Sequence, residues 1–289
     1  MTIYLLFLSA ITWSIFDLIR KKTLKYLNIY ELTFVIIVSQ LLFFIISLSI
    51  SEMNISGSLY FLYSLPLILL NIFSMLLFLK LLKQADISLV IPMLSFTPLF
   101  SSIYSNLVLG EVLNTVNYIG IVSITFGALI LFSKSLKFKD ILYCPMNITK
   151  NKHVCLMLLV ALIWSLTPVL DKKCLEFTDV YFHGFFQAAG SIIILPFLLR
   201  NSFKKKITYN KSFVYLIFCV ALVSFFATYF QLIAIKTNMV AVLEAVKRST
   251  GIIMSLFYGY YFFKESVNQQ KTFGVFIMLI GINFTLGSR

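Results

Sequence analysis

Charge is scarce in this chain. Only 12% of its 289 residues are charged while 60% are apolar, and mean hydropathy is +0.95. Ordinary soluble domains carry about 25% charge, so a soluble enzyme is excluded, and the length leaves no room for a separate soluble domain. Histidine and cysteine are also few. His153 and His183 have no ligand spacing around them, and Cys144, Cys155, Cys174 and Cys219 form no C-x-x-C pair. Neither a disulfide framework nor a metal site follows, and no cofactor is expected. No glycine-rich loop suited to phosphate, ATPase motif or nucleophile elbow is present. Acids are outnumbered 11 to 24 by Lys and Arg, a net charge of +13. The bases lie in short clusters between apolar runs, so their expected partner is the anionic face of a lipid bilayer and not nucleic acid.

What the chain has is long apolar runs. A bilayer core about 30 Å thick takes about 20 helical residues. Ten stretches suit that length, at roughly 2–19, 30–50, 60–80, 87–109, 115–133, 153–171, 181–199, 213–236, 239–262 and 268–286. The first has no basic region before it and reads as a retained span. Pro92, Pro98, Pro168 and Pro196 fall inside spans and are expected to kink them.

The long joint 134–152, with five lysines and Pro145, divides the chain into halves 1–133 and 153–289. A shift of 154 residues takes Ser95 to Ser249, Ser101 to Ser255, Tyr104 to Tyr258, Glu111 to Glu265, Asn114 to Asn268, Gly120 to Gly274 and Gly127 to Gly281. A shift of 151 takes Trp13-Ser14 to Trp164-Ser165 and Lys21-Lys22 to Lys172-Lys173. The matches are in order, which marks an internal repeat. Five spans per half is an odd number, so the second half enters the membrane in the opposite sense. The fold expected is an all-α integral membrane protein of ten transmembrane helices in two inverted five-helix repeats, a transporter architecture with its site near the midplane.

With the amino terminus outside, 18 of the 24 bases fall in cytoplasmic loops, four fall outside (Lys172, Lys173, Lys236 and Arg289) and two lie within a span. That bias favours both termini outside a cell (inner or plasma) membrane crossed many times.

Ten spans in two halves, Trp-Ser followed by a basic pair at each first helix, and Leu109-Gly110-Glu111 and Phe263-Lys264-Glu265 closing each fourth helix resemble the EamA-like branch of the drug/metabolite transporter superfamily. Gly120 and Gly274 fit its pattern as well. The resemblance implies a carrier for small molecules and not an enzyme; family substrates range from amino acids and cationic drugs to nucleotide-type metabolites and lipid-linked sugars. One departure concerns orientation. Family members keep both termini in the cytoplasm and often have a basic second loop, whereas Ser51 to Leu59 here has Glu52 and no base.

The candidate binding residues centre on the ninth span. Lys247 and Arg248 lie eight and nine residues past Met239, roughly 12–14 Å into the core. Glu244 shares their helical face at spacings of three and four. One carboxylate for two bases leaves positive charge for a carboxylate or phosphate of a substrate; the alternative is an ion-pair network that only braces the helix. The first-half counterparts Val90, Met93 and Leu94 are apolar, which favours binding. Trp13 and Trp164 are candidate cavity walls or interface residues, and Asn71, Gln187 and Gln231 are candidate cavity-lining groups or helix-to-helix bonds. Asp17 is a proton-coupling candidate, or an interfacial acid paired with Arg20 or Lys21. Glu111 and Glu265 are expected to cap the next helix. The glycine pairs Gly120/Gly127 and Gly274/Gly281 permit close packing against each other or across a dimer, so the chain is expected as a monomer or homodimer.

These residues point to a secondary transporter of a small polar or amphipathic metabolite, amino-acid-like or an organic anion, working by alternating access. The alternative is a flippase for a lipid-linked sugar or phosphate. An intramembrane enzyme would need converging groups for which His183 is the sole candidate.

Overall fold

Apolar side chains all round a helix suit a segment that meets lipid or protein on every side. The computed structural model describes residues 3–49, 57–84, 91–133, 139, 152–199, 211–264 and 269–287, and no strand occurs among them. The helices are α1 (Ile3–Thr23), α2 (Ile29–Leu48), α3 (Leu59–Gln84), α4 (Thr97–Leu109), α5 (Thr115–Phe132), α6 (Lys152–Cys174), α7 (Val180–Leu199), α8 (Lys211–Thr237), α9 (Val240–Phe263) and α10 (Gln269–Gly287). They are the ten expected spans. α1, α2, α3, α6 and α8 are long and apolar enough to cross a membrane by length and composition alone. The outer surface fits that setting, with Leu107, Val112, Ile193 and Tyr4 each exposed over two thirds or more of their area.

One span is interrupted, where Pro92 and Pro98 led a kink to be expected. The fourth is not a single α-helix: a 3-10 turn, Ile91–Phe96, precedes α4. Pro92 and Pro98 have no N–H to donate, and Pro98 sits in the first turn of α4, where that loss is harmless. In the second half the same positions are Val246 and Ile252, and α9 runs unbroken.

The repeat is visible in how helices begin and end. Asn28 caps α2 by accepting from the Glu31 N–H at 2.8 Å, and its counterpart at a shift of 151, Asp179, caps α7 by accepting from the Tyr181 and Phe182 N–H groups at 2.7 and 2.9 Å. Such caps contribute about 1 kcal/mol each. Gly110 and its counterpart at a shift of 154, Lys264, end α4 and α9 in left-handed conformations with φ of 67° and 56°.

The chain forms two compact units, Met1–Lys83 with Leu170–Thr237 and Gln84–Val169 with Asn238–Arg289. Each draws on both halves. The crossings after Lys83 and after Thr237 stand 154 residues apart, at the same place in the repeat. In the first unit α1 packs along α8 and α2 along α7. In the second unit α4 packs on α9, and α5 packs closely on α10. The α5–α10 seam is glycine against glycine: Gly120 lies on Gly281 and Gly127 on Gly274. Residue numbers rise along one helix as they fall along the other, so the counterparts run antiparallel, and each contact is matched by its repeat-related twin. That reciprocity is the signature of a two-fold relation between inverted repeats. Of the two roles expected for these glycines, the structure displays packing within one chain.

Candidate functional site

α9 begins under control from the other half of the sequence. Glu111, just beyond α4, accepts a hydrogen bond from the Val240 N–H at 2.9 Å on Oε2. The expectation was a cap on the next helix, but α5 is capped by its own Asn114, which exchanges bonds with Asn117, leaving Glu111 to satisfy α9. Glu265 lies outside the described residues. From Val240 to Ser249 every residue of α9 is buried. A charged group in such a stretch must be paired.

The pairing is dense. Glu244 is fully buried; its Oε1 accepts from Lys247 Nζ at 2.6 Å, and its Oε2 meets Arg248 Nε at 3.0 Å and Nη2 at 2.9 Å. The Arg248 guanidinium carbon stands 5.3 Å from the centre of the Trp164 ring, a cation–π contact. Glu244 thus takes one edge of the guanidinium and Trp164 one face. Arg248 Nη1 makes no hydrogen bond to any described residue, and a tenth of the side chain remains exposed. Four of the residues singled out from sequence, Glu244, Lys247, Arg248 and Trp164, therefore come together in the second unit.

A family model described as the EamA-like transporter family matches residues 1–133 and 151–287. This chain belongs to the EamA-like transporter family. Its helical repeats and its place among drug/metabolite transporters follow, and the family points to a multi-pass membrane transporter and not an enzyme. A solved crystal structure, 14% identical, matches the EamA-like chain with a TM-score of 0.71 over 98% of this chain and 95% of that one, a likeness of fold. A search of curated proteins found no match.

The other residues named from sequence lie in the first unit of the EamA-like fold. Asp17 forms an ion pair with Arg20, which is fully buried although it is charged. The Arg20 guanidinium carbon is 4.3, 4.6 and 5.6 Å from the ring centres of Phe16, Phe78 and Trp13, and its Nη1 reaches Met75 Sδ at 3.4 Å. Trp13 is thus part of a cage around a cation, as Trp164 lies under Arg248. Asn71 is half-buried on α3, its carbonyl 3.2 Å from the Ser74 hydroxyl, and Gln231 is half-buried on α8. Gln187 Nε2 donates to the Ser64 carbonyl at 3.3 Å.

A second polar cluster escaped the sequence reading. His183, fully buried on α7, bonds Tyr60 of α3 through Nδ1 and Asp171 of α6 through Nε2, both at 3.0 Å. One signal for it was available. At the shift of 151 Asp171 is the counterpart of Arg20, so the repeat exchanges a buried base for an acid at one equivalent position.

Proposed function

We propose that the chain is a secondary carrier for a small polar or amphipathic metabolite bearing a carboxylate or phosphate, working by alternating access in the cell membrane, with Arg248 and Lys247 as its anion clamp. The observation that supports it most is the arithmetic of α9: Glu244 provides one negative charge for two cations, and the Arg248 edge carrying Nη1 remains for a ligand. Arg offers paired donors in a fixed plane, which suits an oxyanion. Trp164 adds a flat apolar wall for the rest of an amphipathic substrate.

Replacing the cluster by its own repeat counterparts tests this. The triple variant Glu244→Val, Lys247→Met, Arg248→Leu installs the side chains found at 90, 93 and 94. Exchanging a buried ion network for apolar groups is commonly neutral or stabilising by about 1–4 kcal/mol, so the variant is expected to fold. Purified protein is screened by thermal shift against amino acids, nucleotides, sugar phosphates and lipid-linked phosphates. An anionic ligand that raises the melting temperature of the native chain but not of the triple variant supports the clamp. Equal shifts in both proteins refute it. A response to lipid-linked phosphates alone converts the carrier to a flippase.

A further inference from the structure

We propose that the chain Tyr60–His183–Asp171 is the proton site of this carrier, with His183 taking up the proton whose movement drives transport. The proposal deepens the carrier reading and rests on it for its purpose. Its geometry stands independently of the α9 cluster.

As a carboxylate, Asp171 can only accept, so His183 Nε2 carries a hydrogen toward it and the Nδ1 lone pair receives the Tyr60 O–H. A proton passed from hydronium to Nδ1 breaks one O–H bond, forms one N–H bond, leaves water behind and makes the ring an imidazolium. The carboxylate 3.0 Å from Nε2 is then the counter-charge. The Tyr60 hydroxyl must turn from donor to acceptor, and its hydrogen needs a new acceptor. One proton therefore reverses the polarity of the bond between α3 and α7, which links a chemical event to a contact between two helices. Intramembrane chains of His, Asp and similar groups characterise proton pathways.

Asp171 is the acid that bonds His183 among the described residues, and the other groups around the ring are neutral or engaged elsewhere. From α6 come Asp171 and, three residues on, the buried Cys174 thiol; Lys173 of that helix is engaged by Glu176 at 2.6 Å, and Lys172 is half-exposed. The turn before α7 brings Asp179, occupied in capping that helix. α3 brings Tyr60, α2 brings the apolar Phe44 against Gly184, and α8 brings Tyr229, whose hydroxyl is 3.2 Å from that of Tyr181. One turn further along the same seam, the buried Ser64 hydroxyl and the Gln187 Oε1 have no hydrogen-bond partner among the described residues. Buried polar atoms in that condition are places where an ordered water is accommodated. Asp17, the other acid considered for this role, is engaged by the buried Arg20.

The chain has two histidines, so His153→Gln leaves His183 as the sole imidazole signal. Isotope-labelled full-length protein in nanodiscs is followed by NMR of the ring between about pH 8 and pH 5. The expected result is conversion from neutral to charged ring. In the added variant Asp171→Asn, which lacks the counter-charge, the ring stays neutral over that range. Hydrogen exchange at 59–66 and 180–188, corrected for intrinsic rates, should change with the same midpoint, and His183→Gln or Tyr60→Phe should abolish the change. A ring that keeps one charge state overturns the proposal, as does one that titrates while exchange stays unaltered. Neither measurement needs a substrate, so their failure leaves the α9 clamp standing, and failure of the triple-variant test leaves these results standing.

Discussion

Adding one methyl group at Gly120 should part the two helices that close the second unit. A Cβ there would lie 2.6 Å from Thr285 Cγ2, 2.7 Å from the Gly281 carbonyl oxygen and 2.7 Å from the Thr285 nitrogen, where 3.4 Å begins ordinary contact. Two of those three atoms are backbone and cannot swing away, so α5 and α10 must separate locally by about 0.7 Å, the difference between those figures. Ile121, Ile124, Ala128 and Met278, all buried along this seam, lose contact together. Overpacking of this kind costs about 1–3 kcal/mol. Gly281→Ala meets the mirrored obstacle, with the Gly120 oxygen at 2.7 Å and the Ile124 nitrogen at 3.0 Å, and should cost a similar amount. The double variant is the sharper measurement. Once the first methyl has opened the seam the second enters space already made, so the joint cost should fall short of the sum of the singles. Gly184→Ala, in the other unit against the Phe44 ring, should add to either without interaction. The assay is detergent-titrated unfolding in mixed micelles. Single variants within about 0.5 kcal/mol of the parent, or a double variant at the full sum, would refute the claim that close backbone approach holds this pair.

Glu244→Gln should destabilise by about 3–5 kcal/mol, because it leaves Lys247 and Arg248 buried without their counter-charge; melting temperature in nanodiscs measures it. Glu111→Gln, which keeps an acceptor for the Val240 N–H but removes the charge beside the start of α9, should cost less than about 1 kcal/mol, and Glu111→Ala more, by the same measurement. Both termini should lie outside the cytoplasm, so alkaline phosphatase fused after Arg289 should be active and green fluorescent protein fused there dark; the opposite pair of results reverses the topology.

Span number, repeat shift and buried α9 charges were legible because each is written along one stretch of chain. Apolar length marks a span whatever it packs against, and Lys247 and Arg248 announce themselves by lying midway in an apolar run. Two features were not legible, for one physical reason: they depend on which helices meet. Tyr60, Asp171 and His183 each look ordinary on their own segments, and only the fold brings a phenol, an imidazole and a carboxylate into line. Glu111 was recognised as a cap, but its target is α9, 129 residues away. Pro92 and Pro98 announced a break in the fourth span because neither has an N–H to donate, but its form, the 3-10 turn Ile91–Phe96, was not legible, since the apolar run continues through it.

The crossings after Lys83 and Thr237 bear on how the molecule is made. α1 has its main partner in α8, and Gly120 has its own in Gly281, so a ribosome that has delivered the first half has delivered surfaces whose partners do not yet exist. At about 5–20 residues per second, the 155 residues between the end of α5 and the end of α10 take roughly 8–31 s to arrive. For that interval the glycine face of α5 lacks the α10 surface that covers it in the finished fold. A gene cut within 134–152 and expressed as two polypeptides should yield halves that are degraded apart and rescued together.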